Sequence, residues 1–248
     1  MLFGRKYSKK WMGIIQMASN YVETKSLVPI IPKDKFDEVA TEFLEKYCPE
    51  ALEKPMPVPI MDIARRKMGL KIVPDFRLSE DFSVYGQICF TSGKVPVYIR
   101  ESDEYVDITV KRGTMLIDPD TLLERNVGCL NNTIAHECVH WFKHRNYHMY
   151  CNGAGITIKS SYNYPAQKLD DSKQAEWSDD DWMEWQANGI APKILMPVQT
   201  VESAVRDMLN SSAVPNPPRW WAINQLADFY KVSKISAEIR LQELGIDV

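Results

Sequence analysis

The sequence predicts an α+β fold, and three observations predict it. Helical patterns come first, between Lys33 and Met68; short β-branched and aromatic runs follow; a helix carrying H-E-x-x-H comes after them. Helices, then strands, then helices is not the alternation of βαβ units, so a small, mostly antiparallel sheet is expected. A chain of 248 residues, 45% of them hydrophobic, is long enough for one good core or for one domain with a helical appendage.

Residues 1–33 read as a basic, loosely ordered leader. Arg5, Lys6, Lys9 and Lys10 precede a short apolar stretch that Gln16 interrupts and that no small-residue cleavage site follows, so it is not read as a signal peptide. From Lys33 to Leu52, the residues Phe36, Val39, Ala40, Phe43, Leu44 and Tyr47 recur at helical spacing. After Pro55, Pro57 and Pro59, a shorter helix carries Ile60, Ile63, Ala64 and Met68 and closes at Gly69. Both helices are expected to pack on the sheet. The strand candidates are Leu70–Val73, Tyr85–Phe90, Val95–Ile99 and Gly113–Ile117, separated by turn residues.

Beyond the H-E-x-x-H helix, Met149–Asp181 lacks periodicity and ends acidic, which suits either a solvated insertion or a lid. Ser178-x-x-Asp181 has the form of a capping box that opens a helix through Asn188, and Gly189 with Pro192 predicts a break before Ile194. Trp220–Leu244 reads as two helices joined at Lys231–Ser233, with apolar Ile223, Leu226, Ala227, Tyr230, Ile235, Ile239, Leu241 and Leu244. The outline is that of a helix-turn-helix, yet Arg219, Lys231, Lys234 and Arg240 are balanced by Asp228, Glu238, Glu243 and Asp247. That balance argues against direct DNA binding and for packing or docking of a protein partner. The expected division is leader 1–33, main domain 34–197 and helical C-terminal region 198–248.

A net charge of −3 gives no sign of a nucleic-acid or membrane surface, and no apolar run approaches a membrane span. Five cysteines without a C-x-x-C do not form a secreted disulfide framework, so reduced thiols in a cytoplasm are expected.

The chemistry is concentrated at His136-Glu137-Cys138-Val139-His140. Residues four apart lie on one helical face, so both imidazoles can address one ion, and Glu137 beside them can reach a water as general base without ligating. Asn131 or Asn132 is the expected cap. Ile134, Cys138, Trp141 and Phe142 form the core-facing stripe, leaving the histidines toward a cleft.

A catalytic zinc site needs a third protein ligand. His144 continues the series but stands about 12 Å along the helix from His136. The metzincin pattern fails, because Lys143 and Asn146 occupy its Gly and last His positions. A later carboxylate remains: Glu184, inside the capped helix, is preferred, with Glu176, Asp180 and Asp181 as rivals. Tyr147, His148 and Tyr150 are near enough in sequence to donate to an oxyanion, and none stands out.

Ala135-His136-Glu137-Cys138-Val139-His140-Trp141 with Glu184-Trp185-Gln186-Ala187-Asn188 and a closing Leu195-Met196-Pro197 resembles the ImmA/IrrE family of zinc metallo-endopeptidases, whose pattern is H-E-x-x-H, E-x-x-A-N and L-M-P. The resemblance covers roughly 57–197, and the C-terminal helices more weakly. It implies a zincin-like metalloprotease fold, Zn2+ held by His136, His140 and Glu184, Glu137 as catalytic base, and cleavage of a helix-turn-helix transcriptional repressor. By zincin analogy, the strand at Met115–Ile117 is a candidate edge for an extended substrate. Gly189, Pro192 and the long spacing before Glu184 depart from the usual pattern. The rival reading is a regulator that sequesters a repressor on the same scaffold without cutting it.

Overall fold

In a computed structural model, the described residues are 22–23, 28–151, 174, 177–213 and 215–247. Most of the basic leader and most of the acidic insertion, including Glu176, lie outside them. The end of the stretch expected to be loosely ordered is nonetheless built into the fold. Val28 and Ile31 are fully buried, and β2 (Pro29–Ile30) pairs with β1 (Val22–Glu23), because these apolar residues have a core to enter.

The first amphipathic pattern forms α1 (Phe36–Tyr47), with Phe36, Val39, Ala40, Phe43 and Leu44 buried, followed by the single turn α2 (Glu50–Glu53). The second forms α3 (Ile60–Asp62), which widens into a π-type turn at Ile63–Lys67 and closes at Gly69 with φ +71°. The second lies beside the sheet, but the main partner of α1 is another helix, α6 (Asp179–Leu195). Gly189 makes that contact: a Cβ there would stand 2.1 Å from the Phe36 ring. The expected break at Gly189 and Pro192 does not occur. Pro192 removes one backbone donor, yet Ile190, Ala191, Ile194 and Leu195 around it are all buried, and that burial keeps the segment helical.

Four predicted strands form as β3 (Lys71–Val73), β4 (Gly86–Ile88), β5 (Gly93–Ile99) and β7 (Thr114–Ile117). A fifth, β6 (Glu104–Val110), escaped the sequence reading. Most of its residues are exposed, so its ladder to β5 holds it rather than a buried face. Strands β3 to β7 make two sheets instead of one. In the order β3-β7-β4, β7 runs parallel to β3 and antiparallel to β4, while β5 and β6 form a separate antiparallel hairpin. Since β7 is paired on both sides, Met115–Ile117 is no edge, and the edge positions of that sheet belong to β3 and β4.

A small core under the hairpin holds Leu78, Cys89, Val95, Val97, Val110 and Leu116. The main core runs without a break from Ile31 to Leu241 and so includes α7 (Val198–Asn210), α8 (Arg219–Tyr230) and α9 (Lys234–Glu243). Ile235 and Ile239 of the apolar pattern are half exposed. The face of α9 that enters the core carries Ala237, Arg240 and Leu241. Arg240, fully buried, donates to both Asp37 carboxylate oxygens and to the Met196 carbonyl, tying α9 to the start of α1 and the end of α6. It is therefore not among the surface cations that a nucleic acid would meet.

The turn before α9 rests on α4 (Val127–Val139), where a Cβ on Gly128 would lie 2.3 Å from the Val232 carbonyl carbon and 2.5 Å from Ser233 N. Both are main-chain atoms and cannot rotate away. Gly128→Ala is therefore expected to lower unfolding free energy by about 1–3 kcal/mol in a denaturant titration.

Candidate metal centre

The H-E-x-x-H helix begins earlier than its sequence suggested. Its cap is Asn126, whose side chain accepts from Cys129 N at 2.9 Å, so α4 contains both proposed caps in its interior. Asn131 instead donates to the Lys231 carbonyl at 2.9 Å, and Asn132 is buried. Ile134 and Cys138 are fully buried, with Trp141 and Phe142 packed against the same core. After Val139 the helix widens into a π-type turn, His140–His144, and resumes as α5 (Arg145–Cys151). Such turns occur often at functional sites.

His136 and Glu137 are fully buried and His140 is 2% exposed, so the histidines face an enclosed site and not an open cleft. The element that encloses them is α6. Its capping box is present as expected: Ser178 Oγ accepts from Asp181 N, and the Asp181 carboxylate accepts from Ser178 N. One turn further on, Glu184 Oε2 lies 3.3 Å from His136 Nε2 and Oε1 lies 3.4 Å from His140 Nε2, with the two imidazole Nε2 atoms 2.9 Å apart. Among the described residues this trio is the group of His, Cys, Asp and Glu side chains able to hold a metal ion. Four ligands at tetrahedral zinc stand roughly 3.3 Å from one another, given zinc–ligand distances of about 2.0–2.1 Å. The donor set, two nitrogens and a carboxylate, also suits that ion. Glu184 Oε2 is buried without a hydrogen-bond partner, an acceptor that a cation would satisfy.

The rival carboxylates are placed otherwise. Asp181 is spent on the cap, and Asp180 is exposed. Tyr147 Oη donates to Asp179 at 3.4 Å, while the His148 ring stacks on Phe90 with centroids 4.0 Å apart. The Tyr150 side chain lies outside the described residues.

Glu137 is on the side of α4 that β4 covers. A Cβ on Gly86 would meet Thr133 Cγ2 at 2.6 Å and Glu137 Oε1 at 3.0 Å, so only glycine lets the strand pass this closely over the carboxylate. Glu137 and Asn188 both favour the charged form of His136. Burial opposes charge on His136, but Glu184, Glu137 and Asn188 outweigh it and hold its pKa above the ordinary value. Burial likewise disfavours the Glu184 carboxylate, yet His140 and His136 keep it below the usual range, so it is an anion at neutral pH.

Sequence reasoning missed two supporting residues, His144 and Gln186. His144, set aside as too distant to ligate, is fully buried with Nδ1 3.0 Å from His140 Nδ1 and Nε2 3.0 Å from Gln186 Oε1. Burial, followed by neighbouring His140, pushes it well below the ordinary histidine value, so it is neutral. Its place in an unbroken i+4 series was the available signal.

Residues 130–242 match the Peptidase_M78 family, the IrrE N-terminal-like domain. This stretch is similar to the ImmA/IrrE family. The match takes in His136, Glu137, His140 and Glu184 and reaches into α9, well beyond the closing Leu195-Met196-Pro197. The match suggests a metallopeptidase-type function for this stretch. No curated protein and no solved structure matches the chain significantly. Among the described residues, no helix is long and apolar enough to cross a membrane.

Two outcomes follow from this geometry. Glu184→Ala is expected to lose stoichiometric metal in elemental analysis, whereas Asp181→Ala keeps it and loses only about 1 kcal/mol of stability with its cap. Burial and then His140 push His148 from 6.5 down to about 3, so the unfolded chain takes up this proton first. The contribution of neutral His148 is complete above pH 6.5 and is lost as pH falls toward about 3. In urea titrations of metal-free protein, wild type should lose stability across that window relative to His148→Phe, which keeps the stack on Phe90.

Proposed function

We propose that the chain is a zinc-dependent endopeptidase that cleaves a helix-turn-helix transcriptional repressor and so releases the genes it silences. The observation that carries this reading is the convergence of His136, His140 and Glu184 on one point, with Glu137 buried beside them. The family match supports peptidase chemistry, and the family resemblance supports the choice of a repressor as substrate.

His136, His140 and Glu184 would hold the ion, which when bound supplies Lewis acidity, both acidifying a water and polarising the scissile carbonyl. Glu137 accepts the proton from that water and delivers it to the leaving amine. Its enclosure between α4 and β4 removes competing solvent, which strengthens its interaction with the reacting groups. Gly86 leaves Glu137 its space, and an extended substrate would pair along β4, the edge strand nearest to it.

A protein that only sequesters a repressor has no use for Glu137. Glu137→Gln keeps the shape of the side chain and all three ligands but removes the base. With a repressor encoded beside this gene as substrate, wild type is expected to give two fragments on a gel. The variant should bind zinc and the repressor equally well and give none. Cleavage by Glu137→Gln at the wild-type rate overturns the mechanism.

A further inference from the structure

The four histidines of the chain, 136, 140, 144 and 148, recur at intervals of four along one helical run, and the peptidase reading uses only the first two. Both ring nitrogens of His144 are engaged by named side chains, His140 on one side and Gln186 on the other. The direction of each hydrogen bond follows from the far end of this chain of contacts. Gln186 Nε2 lies 2.6 Å from the Pro29 carbonyl oxygen. A carbonyl can only accept, so the Gln186 amide presents nitrogen to Pro29 and oxygen to His144. That oxygen also only accepts, so His144 Nε2 carries its proton. A neutral imidazole then has a bare Nδ1, which accepts from Nδ1–H of His140. His140 Nε2 is left with its lone pair, and this is the atom 2.9 Å from His136 Nε2 and 3.4 Å from Glu184 Oε1.

We propose that Gln186 and His144 form a relay, anchored on the Pro29 carbonyl, that fixes His140 in the tautomer with its proton on Nδ1 and thereby aims a bare Nε2 at the metal position. Both are positioning residues, since neither reaches the ion or the substrate. The relay rests on the metal reading of the site but not on the reaction performed there. It also accounts for a buried polar Gln186 in the apolar interior of α6: one end of its amide orients His144, and the other receives the segment that precedes α1. Partners that hold the far nitrogen of a ligating histidine typically contribute 10–100-fold to metal affinity.

Two measurements on the full chain test the relay. In alkaline buffer, where every imidazole is neutral, nitrogen NMR of metal-free protein labelled at histidine should place the His140 proton on Nδ1 and the His144 proton on Nε2. Zinc affinity, measured by competition with a chromophoric chelator, should fall about 10–100-fold in His144→Leu and in Gln186→Leu. His144→Gln should recover most of it, because its amide can accept from His140 and donate to Gln186. A purely structural His144 would show reduced stability with unchanged affinity and no such rescue. A His140 proton found on Nε2 in wild type, or undiminished affinity in both leucine variants, overturns the relay. Failure of wild type to bind zinc would instead sink the peptidase reading, and the relay would then be judged by the NMR result alone, which needs no metal and survives loss of a variant that does not fold.

Discussion

The structure depends on the crossing of two helices that brings a carboxylate from one against two imidazoles from the other, away from water. Burying Glu184, His136 and His140 carries a large desolvation cost, because each loses its hydration and the protein interior screens charge poorly. Mutual attraction offsets that cost: Glu184 is held as an anion, and His136 has its charged form favoured in spite of burial. Such a trio persists only if both helices are clamped, since a shift of an ångström would leave polar atoms buried and unpartnered.

The clamps are spread widely along the chain. On one side of α6, Phe36 fills the space that Gly189 leaves, so α1 presses the glutamate helix toward the histidines. At the far end of α6, Arg240 grips the Met196 carbonyl and Asp37 together, and Lys193 pairs with Glu243. A cation buried this deeply is stable only when its acceptors are all supplied. The C-terminal helices therefore belong to the scaffold of the candidate metal centre. Their outline is that of a DNA-reading motif, yet one of its cations is committed to the core, and the exposed residues of α9 include Ile235 and Ile239.

Over the other side of the H-E-x-x-H helix, β4 passes so close that Gly86 can bear no side chain. The same closeness seals Glu137 from solvent. Access to the site is thus decided by the α6 side, where Glu184 retains 22% of its side-chain exposure while His136 has none. An enclosure of this kind would suit the base proposed for Glu137, which must exchange its proton with one water and not with bulk solvent.

Sequence alone determined the spacing of the candidate ligands and the local elements. Spacing of four placed two imidazoles on one helical face, Ser178 and Asp181 announced the start of α6, and the apolar patterns of α1 and α8 marked their buried faces; each depends on residues within a turn or two of one another. Tertiary structure decided what neighbouring residues could not: that Gly189 and Pro192 sit inside a continuous helix because burial outweighs their propensities, that Met115–Ile117 is a central strand, that β6 exists at all, and that Arg240 points inward. It also decided that His144, set aside as a ligand for its distance from His136, meets Gln186 of α6. The physical reason is common to all of these. Helical periodicity is a property of the backbone, whereas pairing order, burial and the partners of a polar side chain are set by segments tens or hundreds of residues away.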